Sequence, residues 1–219
     1  MNMKLDKYKA FFFDFDGVIS DSVNIKTEAF SELYKPYGKE ACAYVVRHHK
    51  QHGGMSRFLK FKHYHKHLLN YELSENEIRI LADQFSELVL LKVIKTPFIK
   101  GALEFIRMLS KMNKLMFIVS GTPEHEIKTI VNKRHLNKYF LEVKGSPEKK
   151  DKNIKDLLEK YNISSEEAVF FGDSQQDLNA ALLVGIDFVP INFYNKDIKG
   201  YKDFIDFTHT FSPKTRMRT

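Results

Sequence analysis

The stretch FFFDFDGV, residues 11–18, decides how this chain folds. Three consecutive phenylalanines are typical of a strand that helices cover on both faces, and polar residues follow where such a strand has to end. Those residues include Asp14, Asp16 and Gly17, and strand alternation places the two carboxylates on the same side if the chain stays extended. A carboxylate can attack phosphorus, and a neighbouring carboxylate can pass protons to and from oxygen. A turn after a strand also favours Asp and Gly, so this motif alone leaves both interpretations open.

Apolar runs of strand length recur along the rest of the chain, and most lead through a polar turn into a helical pattern. They are Leu115–Val119, Ala168–Phe171, Phe188–Ile191 and, as a weaker candidate, Tyr139–Val143. After the first of these runs, Thr122 is predicted to cap a helix whose first residue is Pro123. Strands that alternate with helices in this way pair in parallel, so we predict an α/β fold with a three-layer, Rossmann-like open sheet.

The segment between residues 18 and 93 interrupts this alternation. It contains helical periodicities and no convincing strand, and it is too long for an ordinary crossover. We therefore expect an α/β core domain formed by residues 1–17 and 94–219, with residues 18–93 inserted as a helical cap domain. Gly53 and Gly54 mark a bend between two helices of this cap. Because ligands of open α/β sheets bind at the carboxyl ends of the strands, the cap is expected to lie over the site.

Composition and charge exclude several classes of protein. The 219 residues are 43% hydrophobic, which is a globular composition, and the single cysteine excludes an internal disulfide scaffold. No apolar run approaches the roughly 18 residues that span a bilayer, and we find no secretory signal, so we expect a cytoplasmic protein without a membrane partner. The net charge of +7 is partly local, because residues 39–70 contain seven Lys and Arg and six of the nine histidines. Such a surface attracts phosphate, whether on a small molecule or on a nucleic-acid backbone.

The histidines of this region do not predict a metal site. On a helix, side chains two residues apart point in different directions, so His63, His65 and His67 are not expected to converge on one ion. His48 with His52, and His63 with His67, have the better four-residue spacing, but the sequence indicates no third ligand. A solvated or substrate-facing surface is the preferred interpretation.

Polar turns follow the later strands in the same way. Ser120, Gly121 and Thr122 place hydroxyl and backbone N–H groups at a strand end, where they can cradle a phosphate. Further on, Asp173 and Asp177 follow another strand; Asp173 is placed to ligate a cation, whereas Asp177 can complete that site or hold a lysine. Because carboxylates repel a phosphate dianion, this set requires a hard divalent cation, for which Mg²⁺ is the first choice.

A lysine cluster lies between these two turns, at residues 149–152, just before a predicted helix. One of its lysines can neutralise both the phosphate and the Asp14 carboxylate. Each element has an ordinary explanation when taken separately, as a turn, a solvated lysine or a helix cap. Their common position at strand ends favours a single site.

Taken in order, these four motifs resemble those of the haloacid dehalogenase superfamily of hydrolases. The resemblance covers the whole chain and is strongest to the branch of phosphoglycolate phosphatase-like and β-phosphoglucomutase-like proteins, whose helical cap lies at the same place. It implies that Asp14 is the nucleophile and that Asp16 is the general acid and base. It also implies a Mg²⁺ ion held by the carboxylate of Asp14, the backbone carbonyl of Asp16 and Asp173, with Asp177 close by.

The resemblance also implies which groups bind the substrate. The candidates for binding phosphate are Gly17, Ser120, Gly121, Thr122, Lys150 and Arg57. Within this set, Ser120 is expected to bind the phosphoryl group that is transferred. Arg57 ends the stretch GMSR, residues 54–57, which resembles the Gly-x-Ser-Arg stretch of the family's cap. It is therefore a candidate for binding a second anionic group of the substrate.

The active-site lysine is selected by its spacing. The family's lysine commonly lies four residues before the first apolar residue of the next helix. That residue is Ile154 here, which selects Lys150 as the catalytic lysine. Lys149 and Lys152 remain alternatives.

From these residues we expect a Mg²⁺-dependent phosphatase that hydrolyses a small phosphorylated metabolite through an aspartyl-phosphate. A dehalogenase resembles this chain less, because it lacks the second Asp of the Asp-x-Asp motif. A phosphomutase of the β-phosphoglucomutase type is the alternative, since it would share the core and differ in its cap. A phosphonatase would use a cap lysine such as Lys60, Lys62 or Lys66 as a Schiff base, and nothing in the sequence supports this.

A protein of a different class, a basic binding module with a non-catalytic core, is the remaining alternative. It would attach to nucleic acid or to an acidic partner. A protein that only bound nucleic acid would have no use for four carboxylates at one site, because they repel phosphate unless a cation intervenes. We therefore expect a small phosphorylated molecule, rather than nucleic acid, as the partner. The sequence does not predict the oligomeric state.

Overall fold

A sheet of five parallel strands forms the centre of the protein, whose computed structural model describes residues 5–192 and Phe207. The strands are β1 (Ala10–Phe13), β2 (Leu115–Pro123), β3 (Glu142–Ser146), β4 (Ala168–Gly172) and β5 (Asp187–Pro190). Their order in the sheet is β3-β2-β1-β4-β5, so β1 is the central strand and pairs in parallel with β2 and β4. The predicted open parallel sheet is confirmed.

The α-helices fall into two groups along the chain. Four of them precede β2, namely α1 (Val23–Tyr34), α2 (Lys39–Gln51), α3 (Arg57–Leu69) and α4 (Glu75–Lys95). The others alternate with the strands, namely α5 (Ala102–Lys111), α6 (Glu124–Lys133), α7 (Lys150–Lys160) and α8 (Gln175–Val184). Within the described residues, no helix combines the length and the apolar character that crossing a membrane would need.

Both faces of the sheet are buried, which explains why β1 consists of consecutive phenylalanines. Phe11 and Phe13 point to the face that α5 and α6 cover, whereas Phe12 points to the face that α7 and α8 cover. Across the strands, the ring of Phe13 stacks on that of Phe171 with centroids 5.0 Å apart, and Phe12 stacks on Phe117 at 4.9 Å. The result is the predicted three-layer arrangement of helices, sheet and helices.

The helical segment α1–α4 leaves and re-enters the sheet region through two adjacent stretches of chain. The N–H of Asp21 donates to the carbonyl of Pro97 at 3.0 Å, and the N–H of Ile99 donates to the carbonyl of Ile19 at 3.0 Å. This narrow double connection lies directly after β1, at the carboxyl edge of the sheet. The bend expected at Gly53 and Gly54 does separate α2 from α3.

The expected division into a core of residues 1–17 and 94–219 and a cap of residues 18–93 stays a prediction. Residues 193–206 and 208–219 of that core lie outside the described residues.

Two local predictions were wrong. β3 begins at Glu142, three residues later than predicted, because it is an edge strand that tolerates polar residues, while the buried ring of Phe140 precedes it. β2 continues to Pro123 and α6 begins at Glu124, so Thr122 does not cap that helix. Its hydroxyl is used instead by side chains of the candidate site.

Candidate active site

The ends of β1 and β4 bring three carboxylates together. Asp14 directly follows β1, where its N–H donates to the carbonyl of Phe171 at 2.9 Å. Asp173 directly follows β4, and Asp177 lies in the first turn of α8. One carboxylate oxygen from each of Asp14, Asp173 and Asp177 lies within 4.8 Å of the other two. Parallel strands that end at the same edge therefore produce the acidic cluster that the sequence predicts.

Lys150 is the lysine that enters this cluster. It begins α7 and is buried, with its Nζ 3.0 Å from Oδ2 of Asp14 and 2.5 Å from Oδ1 of Asp177. Burial alone would lower the pKa of Lys150, but the two carboxylates outweigh it and raise the pKa above its usual range. Lys149 is exposed, and Lys152 pairs with Glu148 at the surface.

The carboxylate of Asp177 is held on both sides. Its Oδ1 accepts from Lys150, and its Oδ2 accepts from the N–H and the hydroxyl of Ser174 at 3.1 and 2.5 Å. The Ser174 hydroxyl in turn accepts from the N–H of Asp177, which completes a capping box at the start of α8. Of the two roles left open for Asp177, the contacts favour holding the lysine.

The carboxyl groups of Asp14 and Asp173 lie close to other carboxylates, and the nearby cations only partly balance their charge. Burial raises the pKa of Asp14, Lys150 opposes this shift, and the neighbouring carboxylates of Asp177 and Asp16 add to it. Burial, followed by the carboxylates of Asp14 and Asp177, raises the pKa of Asp173 well above its usual range. Among residues 5–192, no Lys or Arg forms an ion pair with Asp173. Crowded carboxylate oxygens without enough cations are the donor set that suits a hard divalent metal.

Gly17 is required by the position of Asp173. The backbone of Gly17 has a φ of +81°, and a Cβ built on it would lie 2.1 Å from Oδ2 of Asp173. Any side chain at Gly17 would therefore displace the carboxylate that follows β4. The glycine of the opening motif shapes the acidic cluster as well as the turn.

Asp16 faces a different set of partners from Asp14. Its Oδ1 accepts from the Ser22 hydroxyl at 2.6 Å, and its Oδ2 accepts from Lys26 and from the Thr122 hydroxyl, the latter at 3.1 Å. Burial would raise the pKa of Asp16, but Lys26 and the two hydroxyl donors outweigh it and lower the pKa. Asp16 is therefore held ionised in this state.

Ser22 and Lys26 contact Asp16 although no sequence pattern indicated them. Lys26 lies on α1 and is buried, with its Nζ 2.6 Å from the Thr122 hydroxyl as well as in contact with Asp16. No spacing rule distinguishes it from the many solvated lysines of the chain. Its position depends on how α1 packs against the sheet edge.

The loop between α2 and α3 closes over the end of β2. Ser120 is buried there, and its hydroxyl accepts from the N–H of Thr122 at 3.1 Å. A Cβ built on Gly121 would lie 2.7 Å from the carbonyl oxygen of Gly54, and one built on Gly54 would lie 3.5 Å from Nζ of Lys150. The loop of the helical segment therefore packs closely against the strand end and lies near the lysine.

A small cavity remains between the sheet edge and the helical segment. Its volume is about 40 Å³. Its polar lining includes Asp14, Asp16, Asp173, Lys26, Arg57 and Lys60. A space of this size holds only one or a few water molecules.

Arg57 lines this cavity but already has a carboxylate partner. Its Nη1 and Nη2 donate to Oε2 and Oε1 of Glu126 at 2.8 and 2.6 Å, and the guanidinium lies 4.4 Å from the ring centroid of Phe85. The Ser86 hydroxyl donates to Glu126 as well. Burial would raise the pKa of Glu126, but Arg57 outweighs it and lowers the pKa. In this state the pair ties α3 to α6, and binding of a substrate anion by Arg57 stays a prediction.

Glu126→Ala is expected to lower the free energy of unfolding by about 3–5 kcal/mol, because it leaves the buried guanidinium of Arg57 without a partner. Urea denaturation at pH 7 measures the change. Since the pKa of Glu126 is lowered by folding, its contribution is present above its ordinary pKa of about 4.3 and is lost as the pH falls further. The difference between wild type and variant should therefore shrink below that pH.

The control for this measurement is Glu124→Ala on the same helix. Glu124 pairs with Lys128 near the surface, and such pairs contribute at most about 1 kcal/mol. Equal losses in the two variants would contradict the importance assigned to the Arg57–Glu126 pair.

His63, His65 and His67 do not converge on one point, because His65 lies apart from the other two. Nδ1 of His65 is hydrogen-bonded to the Tyr34 hydroxyl at 2.8 Å in the interior. His63 instead stacks with His48 and His67, each at a centroid distance of 4.3 Å. In the described part of the chain, the aspartate cluster is the group of three or more potential ligands whose donor atoms approach one another.

Comparisons with known proteins agree with this geometry. A model of the haloacid dehalogenase-like hydrolase family matches residues 11–191. A curated protein, a phosphorylated carbohydrates phosphatase from Thermotoga maritima, is 29% identical over 192 residues, which cover 82% of each chain.

Solved structures with the same fold include a protein from Haemophilus somnus described as a predicted phosphoglycolate phosphatase. It has a TM-score of 0.71 at 20% identity, with 91% of this chain and 95% of that chain covered. A β-phosphoglucomutase from Clostridium difficile has a TM-score of 0.71 at 17% identity, with 85% of this chain and 86% of that chain covered. At these identities the structural matches show the fold alone.

Proposed function

Because this chain belongs to the haloacid dehalogenase-like hydrolases and is a phosphoric monoester hydrolase, we propose that it is a Mg²⁺-dependent phosphatase of a small phosphorylated metabolite. The observation that carries the proposal is the contact of Lys150 with Asp14 inside a cluster of carboxylates that lacks enough cations. The activity named for the Thermotoga maritima relative supports a phosphorylated carbohydrate, or a similar short metabolite, as the substrate.

In the first step, a carboxylate oxygen of Asp14 attacks phosphorus and forms an aspartyl-phosphate. The ester P–O bond breaks, and the leaving oxygen takes a proton from Asp16. Asp16 is ionised in the free protein and has to be protonated before it can act as an acid. The negative charge of a bound substrate phosphate would raise the pKa of Asp16 and so favour its protonation. Lys150 neutralises the Asp14 carboxylate and the incoming phosphate.

In the second step, Asp16 acts as the base. Lys26, Ser22 and Thr122 favour its ionised form, so it can accept a proton from a water molecule. The oxygen of that water attacks phosphorus, the bond from phosphorus to Asp14 breaks, and inorganic phosphate leaves. The same three partners hold Asp16 in the carboxylate form that this step needs, and because they lower its pKa they also make it a weaker base.

The remaining site residues would bind the phosphoryl group and the metal. Mg²⁺ would be held by the carboxylates of Asp14 and Asp173 and by the backbone carbonyl of Asp16, with Asp177 nearby. It would neutralise charge on the phosphoryl group. The phosphoryl oxygens would be bound by hydroxyl and backbone N–H groups of Gly17, Ser120, Gly121 and Thr122.

We also propose that residues 18–93 act as a cap that opens for substrate and closes for reaction. The contact between Gly54 and Gly121 supports this, because it places the loop of the helical segment on the strand end. Closing excludes bulk water and leaves room for one attacking molecule. The cytoplasmic location expected from the sequence stays a prediction.

Gly121→Ala is expected to lower kcat/KM by about tenfold or more, because an ångström of misplacement near the reacting atoms can cost about a hundredfold. The new Cβ would lie 2.7 Å from the backbone oxygen of Gly54, so the loop has to move away from the strand end. Steady-state kinetics with p-nitrophenyl phosphate measures the loss.

Gly53→Ala is the matched control for this prediction. A Cβ at Gly53 would make an ordinary contact, 3.7 Å from Cβ of Ser174, so this variant should keep wild-type kinetics. Similar losses in both variants would argue against cap closure at Gly121.

The function is tested by a screen of phosphorylated metabolites, including sugar phosphates, phosphoglycolate and nucleotides, with p-nitrophenyl phosphate as the general substrate. We expect phosphate release with Mg²⁺ and none with EDTA. Isomerisation of a sugar phosphate without release of phosphate would favour the mutase. DNA binding that needs no metal, without hydrolysis of any ester, would favour the binding module.

A further inference from the structure

A buried pair of basic side chains lies in the wall of the cavity that the carboxylates also line. Lys60 of α3 is 1% exposed and His49 of α2 is 4% exposed, and Nζ of Lys60 lies 2.7 Å from Nδ1 of His49. The other hydrogen bond of Lys60 is a long one, 3.4 Å to the carbonyl of Gly53. Both side chains line the same cavity as Asp14.

This pair has no counter-ion in the described part of the chain. The other two cations of the cavity each have a carboxylate, since Lys26 pairs with Asp16 and Arg57 pairs with Glu126. No Asp or Glu of residues 5–192 forms an ion pair with Lys60. Burial, together with the nearby charge of Lys26, lowers the pKa of Lys60 well below its usual range. A buried ammonium without a counter-ion is unfavourable, so an anion beside Lys60 would favour its protonated form and pair with it.

His49 adds a second unused group to the same wall. Its Nε2 is buried and has no hydrogen-bond partner among the described residues. A protonated Lys60 can only donate to Nδ1, so in that state the neutral ring carries its proton on Nε2, which is then a donor. A buried donor without an acceptor costs about 1–3 kcal/mol, unless a ligand supplies the acceptor.

We propose that Lys60 and His49 bind a second oxyanion of the substrate, a carboxylate or a second phosphate, while the scissile phosphate lies at Asp14. The inference rests on the proposed function only for the position of the scissile phosphate. Because both side chains line the cavity that contains Asp14, one substrate with two anionic groups could reach both positions once the cavity opens. Arg57, the candidate indicated by the sequence, is less suited to this role because Glu126 already neutralises it.

The test uses pairs of substrates that differ in the second group. Phosphoglycolate and 2-hydroxyethyl phosphate have similar size, and only the first carries a carboxylate. Glucose 1,6-bisphosphate and glucose 6-phosphate form the corresponding pair for a second phosphate. The measured quantity is the ratio of kcat/KM for the anionic member over the neutral member, in the presence of Mg²⁺.

Wild type is expected to prefer the anionic member of at least one pair, and Lys60→Met is expected to reduce that ratio by about tenfold or more. The pair that responds identifies the oxyanion. Lys62→Met is the matched control on the same helix, because Lys62 pairs with Glu75 at the surface and should keep the wild-type ratio. An unchanged ratio in Lys60→Met would overturn the proposal.

Two further measurements separate this inference from the proposed function and from misfolding. Calorimetric binding of phosphoglycolate and 2-hydroxyethyl phosphate to Asp14→Asn protein needs no turnover. Asp14→Asn protein should prefer phosphoglycolate, and the double variant Asp14→Asn, Lys60→Met should not. That result supports binding of a second anion by Lys60 even if no substrate is hydrolysed. Equal binding of the two, together with no bisphosphate preference, would refute it. Lys60→Met should retain the wild-type Tm, because methionine removes an unpaired buried charge.

Discussion

Asp14→Asn is expected to lower kcat by roughly four to six orders of magnitude, the loss that follows removal of a nucleophile. An asparagine amide cannot form the aspartyl-phosphate, although it has the same shape as the carboxylate. The fold should be retained, because Lys150 keeps Asp177 as its partner at 2.5 Å. Removing one of several crowded carboxylates also relieves repulsion on Asp173, whose pKa is raised by burial and then by the charges of Asp14 and Asp177.

Rapid acid quenching with ³²P-labelled substrate measures the phosphoenzyme directly. Wild type should show labelled protein, and Asp14→Asn should show none while its far-UV circular dichroism and Tm match wild type. Asp83→Asn is the control, because Asp83 is exposed on α4 and away from the acidic cluster. Turnover near the wild-type rate in Asp14→Asn would refute the assignment of the nucleophile.

Removal of divalent metal is expected to lower turnover by about a thousandfold or more, because a metal contributes several kcal/mol of charge stabilisation in the transition state. The structural reason is the cluster of Asp14, Asp173 and Asp177, which Lys150 alone neutralises incompletely. Activity measured after EDTA treatment, and again after excess Mg²⁺ is restored, checks the expected loss and recovery. Full activity in EDTA would exclude a metal-dependent reaction.

Thermal stability provides a readout that does not depend on turnover. At a hundred times its Kd, Mg²⁺ should stabilise wild type by about 2.7 kcal/mol, which raises Tm by roughly 5–10 °C. Asp173→Asn should lose most of this shift. Because folding raises the pKa of Asp173, its ionised form destabilises the metal-free protein at neutral pH, and the variant without metal should be at least as stable as wild type.

The control for the metal experiments is again Asp83→Asn, which should keep the full Mg²⁺-induced shift in Tm. A shift of wild-type size in Asp173→Asn would show that Asp173 does not bind the ion.

The strands show how far local patterns predict this fold. The three phenylalanines of residues 11–13 lie in β1 as predicted, and β4 was predicted within one residue, because burial on both faces leaves unbroken apolar runs in the sequence. β3 was misplaced because an edge strand does not need such a run, and Glu142 and Lys144 occupy it. Thr122 was misassigned because a threonine before proline has the same local pattern whether it caps a helix or binds a distant carboxylate.

The acidic cluster was predictable because of a topological rule. All parallel strands end at one edge, so polar residues that follow different strands meet there without further information. The lysine was selected from three candidates by a spacing rule, and the structure brings Lys150 to Asp14. Its catalytic role, like that of Asp14, stays a prediction until the variants are measured.

The sequence alone determined the parallel α/β sheet, the inserted helices and the acidic strand ends, because these depend on short-range patterns and on the rule that parallel strands share an edge. Only the tertiary structure decided which charges are paired: Lys26 with Asp16, Arg57 with Glu126, and Lys60 with no carboxylate among the described residues. The physical reason is that a lysine or arginine has the same local pattern in solvent and in the interior. Whether it meets a carboxylate depends on how the helices of the inserted segment pack onto the sheet.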